Sequence, residues 1–210
     1  MSIVEIDEEL CHKAKPSEYF ELEINLIDNR IIKSWLINFL DTNVPKFEYE
    51  RESSSTGKYH PESDKGFGGN GRHIKTVVKV LNDCFRPARP DLHWSRLIAA
   101  AILHDLLKYD EESSQYTSKD HGEKMAEKLL ETRTHLTESD DDVRLSEEIK
   151  EISELVKYHM GQWSVEFSSD GKPDISLAKR AISEEGWILH YADMVASRTW
   201  MGTDAIFMSK

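Results

Sequence analysis

Apolar residues recur at helical intervals along most of this chain, and strand-like alternation is weak throughout. In residues 17–41, Leu22, Leu26 or Ile27, Ile31, Leu36, Phe39 and Leu40 trace one apolar stripe, so the spacing predicts a helix that Pro45 closes. A second helix is expected from about Gly71 to Cys84, with Ile74, Val77, Val78 and Leu81 inward and Pro87 and Pro90 preventing its continuation. The next, over about 91–107, buries Trp94, Leu97, Ile98, Ala101 and Ile102, and its alanines predict a tightly packed central helix. Ser118 or Asp120 can cap a helix running through Thr132, and a further helix is expected over about 143–160, ending near Gly161. Asp174 or Ser176 can cap a last one reaching about Trp200. The fold class expected is all-α, a helical bundle.

Between about 46 and 70 the pattern lapses into KFEYERESSSTGKYHPESDKGFGGN. A stretch that long inside a compact domain is either functional or disordered, and its place just before a histidine-bearing helix favours a lid or substrate loop. Its glycines form no phosphate-binding loop, because no GKS or GKT follows them. With 210 residues the chain can hold one sizeable domain and an appended segment. We expect residues 1–57 to be an N-terminal helical extension and 58–210 the core.

Charge narrows the partners. The net charge of −12 argues against a grip on long DNA or RNA, which rewards surplus lysine and arginine, and suits a small ligand better. No apolar run approaches the roughly 18 residues that span a bilayer, and the N-terminus lacks the features of a secretion signal, so a cytoplasmic protein with no membrane partner is expected. The two cysteines, Cys11 and Cys84, are expected to be free thiols.

The chemistry centres on His104-Asp105, inside AAAILHDLLKY. Imidazole nitrogens combined with carboxylates bind divalent transition metals, and a carboxylate has two oxygens with which it could bridge two ions. Alone the pair says little, since a histidine ending an apolar helix is more often a hydrogen-bonded core residue. His73, His121, His159 and Asp193 extend it into an ordered set.

Read as GRH (His73), ILHDLLK (His104, Asp105, Lys108), DHGEKMAEKLL (His121), KYHMGQW (His159) and ILHYADMVAS (Asp193), the chain resembles the HD-domain superfamily of metal-dependent phosphohydrolases over about residues 58–200. The resemblance implies that His73, His104, Asp105 and Asp193 hold one metal, and that His121 and His159, bridged by Asp105, hold a second. One or two divalent ions are therefore expected, of manganese, iron, zinc, nickel or cobalt. In two-metal sites the ions stand about 3.5–4 Å apart and activate a hydroxide for in-line attack. The resemblance also implies catalytic roles for Asp105 and for Lys108, which could hold a substrate phosphate or steady Asp105; without such a role Lys108 would simply be a cation favoured at a helix end. His190, three residues before Asp193, is expected to be a buried hydrogen-bonded histidine.

The resemblance also implies a phosphate ester substrate. HD proteins act on nucleotide monophosphates and triphosphates, cyclic dinucleotides, alarmones and RNA ends; MGQWSVEF here lacks the glycine-tyrosine-proline signature of the cyclic-di-GMP branch. The leading expectation is a hydrolase of a small nucleotide: a nucleotidase, a deoxynucleoside triphosphate hydrolase or a phosphodiesterase. The alternatives are a 3′-to-5′ nuclease on short single strands and an inactive nucleotide-binding or regulatory module. His60, Lys65 and Arg72 could bind phosphate, and Phe67 or Trp163 could stack on a base. Oligomeric state is left open, a homodimer being one option.

Overall fold

The computed structural model describes residues 3–54, 60–109, 111–118, 120–136, 139–161 and 182–198. Among these the chain is helical and contains no strand. The elements are α1 (Ile3–Lys13), the short α2 (Pro16–Tyr19) and α3 (Glu21–Ile24), α4 (Arg30–Asn43), the short α5 (Phe47–Glu50), α6 (Gly69–Val80), α7 (Trp94–Leu103), α8 (His121–Thr132), α9 (Asp140–Lys157) and α10 (Glu184–Ala196).

Helix α7 is the axis of the bundle. Every residue from Leu97 to Leu103 is fully buried, including Ala99, Ala100 and Ala101, so neighbours close on it from all sides as its alanines predicted. Helices α6, α9, α4 and α10 pack around it. Their inward residues include Ile74 and Val77 of α6, Leu36 and Leu40 of α4, Ile149 and Ile152 of α9, and Leu189 of α10, all fully buried in one continuous core. Truncating any such aliphatic side chain to alanine costs about 2–5 kcal/mol.

The segment expected as one helix over 17–41 is instead broken into α2, α3 and α4. Asn29 causes the last break: its Oδ1 accepts from the backbone N–H groups of Ile31 and Ile32 and starts α4 afresh. Leu22, counted into the apolar stripe, is consequently 79% exposed.

The stretch before α6 is more ordered than the pattern suggests. Residues 47–50 form α5, Glu62–Asp64 make a 3-10 turn, and backbone bonds from Ser53 N to the Asp64 carbonyl (3.1 Å) and from Asn70 N to the Arg51 carbonyl (2.7 Å) pin it to the bundle. Arg72, buried in α6, clasps the same turn, donating to the carbonyls of Ser63 (2.6 Å) and Phe67 (2.8 Å). At its other side Arg72 meets Asp7 of α1 at 3.5 Å, and Asp7 also takes Lys75 Nζ (2.7 Å) and Tyr19 Oη (2.8 Å).

Serines start the two late helices: Ser139 caps α9 through Asp142 N, and Ser183 caps α10 through Gly186 N. The caps expected at Asp174 or Ser176 lie outside the described residues, as does the far end at Trp200. At α8, Asp120 occupies the capping position, but its carboxylate pairs with Ser118 Oγ and Lys124 Nζ rather than with the helix.

Candidate metal centre

Three helices and two turns bring the six expected residues into one place. His73 lies in the first half of α6, His121 opens α8, His159 follows the end of α9, and Asp193 sits in the last turn of α10. His104 and Asp105 occupy the turn after α7 rather than the helix expected to reach residue 107. That turn is held from outside. Asn70 Nδ2 donates to the Asp105 carbonyl (2.9 Å), and the carboxylate of Glu48 accepts the backbone N–H of Lys108 (3.0 Å) and of Tyr109 (3.3 Å). These bonds replace the helical ladder and turn Asp105 inward. Burial pushes the Glu48 carboxyl up to about 8, the bonds from Tyr109 and Lys108 opposing it. Beyond, Ser118 N donates to the Lys108 carbonyl (2.8 Å), which closes the intervening loop and sets His121 beside Asp105.

The two oxygens of Asp105 face different neighbours. Oδ2 lies 3.5 Å from His104 Nε2 and 3.7 Å from His73 Nε2, and Asp193 Oδ1 is 3.0 Å from that same His73 nitrogen. Oδ1 lies 3.1 Å from His121 Nε2 and 3.6 Å from His159 Nε2. Donors about 2.1 Å from a common ion stand roughly 3–3.5 Å from one another, so both groups have the span to hold one. His73, His104 and Asp193 form one set able to hold a metal ion, and Asp105, His121 and His159 another.

The hydrogen bonds show which nitrogen each ring offers. His104 Nδ1 is 2.7 Å from the Ala101 carbonyl, His121 Nδ1 is 2.8 Å from that of Ser118, and His159 Nδ1 is 2.7 Å from that of Val156. A carbonyl oxygen can only accept, so each Nδ1 carries a proton, and Nε2 is the nitrogen left to offer a lone pair to a cation. His121 Nε2 and His159 Nε2 then face each other at 3.0 Å. Two lone pairs at that distance repel unless a positive charge lies between them. His104 Nε2 and His73 Nε2 are buried without a hydrogen-bond partner among the described residues. The donor set therefore fits divalent cations.

Electrostatics agree. Burial pushes His104 down to about 4, which keeps its ring in the neutral form that metals require. At His73 burial opposes the charge, yet the carboxylates of Asp193 and Asp64, with Asp105 behind them, push it up to about 9. The pocket favours positive charge at that point. Asp105 and Asp193 are held well below the usual carboxylate range despite burial, Asp105 chiefly by Lys108 and His104, Asp193 by His73. Lys108 Nζ stands 2.5 Å from Asp105 Oδ2.

Two glycines allow this approach. A Cβ on Gly122 would sit 2.9 Å from the Val156 carbonyl oxygen and 3.2 Å from His159 Cε1, so only glycine lets α8 bring His121 against His159. Gly161 has φ +59°, and a Cβ there would overlap the ring of His190, with Cδ2 and Nδ1 at 2.6 Å. His190 is buried as expected and makes a bond of 3.0 Å from Nδ1 to the His159 carbonyl, bracing the turn that carries His159.

The other expected contacts fare differently. His60 is drawn to the centre, its ring 4.8 Å from that of His73. Arg72 spends its guanidinium on the clasp described above, and Lys65 pairs with Glu62 at 2.7 Å on the surface side. Phe67 is 42% exposed, and Trp163 lies outside the described residues. Neither of two surface cavities, of about 460 and 320 Å³, is lined by any of the six. Sequence reading missed Asp64, which faces both His60 and His73; its place four residues after His60 in HPESD was the available signal. Glu48 was missed too, and nothing in its local pattern marks it.

A family profile described as HD domain matches residues 70–198, and the chain belongs to the HD-domain superfamily of metal-dependent phosphohydrolases. Searches of curated proteins and of solved structures each found no significant match.

Proposed function

We propose that this chain hydrolyses a phosphate ester of a small nucleotide. The observation that carries the reading is the division of one buried carboxylate, Asp105, between two sets of nitrogen and oxygen donors. In this reading His73, His104, Asp105 and Asp193 hold one ion and Asp105, His121 and His159 a second. When bound, divalent ions supply Lewis acidity toward phosphorus and an activated water nucleophile.

The protein's own groups do the rest. Asp105 fixes the two halves relative to each other, and the 2.5 Å contact with Lys108 keeps it ionised. The ammonium of Lys108, beside the pocket, is placed to take up charge developing on a phosphoryl oxygen. Asp193, 17% exposed while His73 and His104 are fully buried, marks the side from which substrate arrives. His60 stands closest to a substrate role among the loop candidates, through its position against His73. The net charge of −12 supports a small substrate over a long polyanion. Within this reading residues 58–210 form the catalytic unit and 1–57 extend it.

The test is a screen of manganese-loaded protein against nucleoside mono-, di- and triphosphates, cyclic nucleotides and short oligonucleotides, following phosphate release and shortened products. Cleavage of a mononucleotide, lost in Asp105→Ala, is the expected result. Processive shortening of oligonucleotides alone would replace the reading with a nuclease. Metal-loaded protein that binds a nucleotide and cleaves nothing would replace it with a regulatory module.

A further inference from the structure

Three of the four imidazoles at the centre are braced in one way: His104, His121 and His159 each direct Nδ1 to the carbonyl three residues earlier. His73 is the exception. Its Nδ1 has no hydrogen bond among the described residues and faces Asp64 Oδ2 at 3.7 Å. Asp64 is 1% exposed. Its Oδ1 accepts from Ser63 Oγ (3.2 Å), while Oδ2 is likewise without a hydrogen bond. Leaving a buried carboxylate oxygen and a buried ring nitrogen both unpaired is costly, and each is the complement of the other. Closing the gap to hydrogen-bond length takes a shift of about 0.8 Å.

The turn bearing Asp64 is held for this purpose from the same helix as His73. Arg72, the preceding residue, grips the Ser63 and Phe67 carbonyls, and Ser53 N and Oγ both donate to the Asp64 carbonyl at 3.1 Å. His60 Nδ1, also buried without a hydrogen bond among the described residues, competes for Oδ2 at 3.6 Å, but the His60 side chain is 11% exposed whereas that of His73 is 0% exposed.

We propose that Asp64 is a positioning residue that accepts the Nδ1 proton of His73 and so presents His73 Nε2 as the strongest imidazole donor of the centre. The proposal rests on the metal reading above and deepens it. A carboxylate behind a ligating imidazole fixes its tautomer and raises its basicity, and removing such a partner weakens metal affinity by about 10–100-fold. The other three imidazoles have only neutral carbonyls behind them. The two halves of the centre therefore differ in affinity, and the half containing His73 binds first.

The experiment is a titration of the metal-free full chain with cobalt(II), by calorimetry and by the visible absorption bands of the ion. Wild type should take up two equivalents in two affinity classes. Asp64→Asn should weaken the tighter class by about 10–100-fold and alter its absorption bands, leaving the weaker class within threefold. His60→Gln should change neither. Unchanged affinities in Asp64→Asn overturn the proposal, and so does a third equivalent lost in both variants, which would make Asp64 and His60 ligands themselves. Should Asp64→Asn fold poorly, Asp64→Glu retains the charge. A milder loss confined to the tighter class supports the proposal, and equal loss in both classes overturns it. Wild type that takes up no cobalt would sink the metal reading instead, a separate outcome.

Discussion

Gly161→Ala offers the sharpest test of how the His159 half is built. Two costs combine at this position. The backbone is left-handed, φ +59°, which disfavours any residue with a Cβ by about 1–2 kcal/mol. The new methyl also overlaps the ring of His190, whose Cδ2 and Nδ1 would lie 2.6 Å away, and relieving such overpacking costs about 1–3 kcal/mol more. The sum, about 2–5 kcal/mol, lowers the urea midpoint by about 0.7–2.5 M at a slope of roughly 2–3 kcal/mol/M. Equilibrium unfolding of the metal-free protein reads it directly. Because His190 bonds the His159 carbonyl, a displaced ring also moves His159, so metal held through His159 should bind more weakly. On a His190→Ala background the overlap is gone and only the backbone cost, about 1–2 kcal/mol, should remain. A variant within 0.5 kcal/mol of wild type (about the spread of neutral surface changes), or a penalty unaltered by His190→Ala, would refute this account.

His121→Ala should retain one metal equivalent and lose the other by elemental analysis, since His121 faces only Oδ1 of Asp105; loss of neither would point to a mononuclear site. Glu48→Gln tests the turn after α7 by pH. The folded state raises this carboxyl from 4.5 to about 8, so its contribution is present below pH 4.5 and is lost as pH rises toward 8. The variant should therefore flatten the decline in melting temperature across that interval, and an unaltered slope would count against it. Burial pushes the Cys11 thiol up to about 12, while Cys84 is exposed. A thiol-reactive disulfide reagent should accordingly titrate one cysteine in the native protein and both in denaturant.

Helices α6, α8 and α9 were legible in the sequence because each carries a clean apolar stripe against an amphipathic surround, and the ordered histidines disclosed which of them meet. What local pattern could not show was set by contacts across the chain. The break before α4 needs only Asn29, but a stripe read over 17–41 runs straight through it. Helix α7 stops at Leu103 because Glu48 and Asn70, far away in sequence, take over the next polar groups. Asp64 lay hidden in a stretch of serine, glycine and charge that resembles a solvated loop; its burial follows from the Arg72 clasp, and guanidinium-to-carbonyl bonds leave no period to read.

The bonds from His104, His121 and His159 to the carbonyl three residues back have a consequence for anyone who would rebuild this site. Each is completed within a span of four residues, so the ring is aimed before any distant partner arrives. Such self-contained units are portable: grafted onto another helix, after its end for His104 and His159 and at its start for His121, each should keep its bearing, and only the distances between units would need engineering. His73 would not travel in that way, because its aim is borrowed from a neighbouring turn.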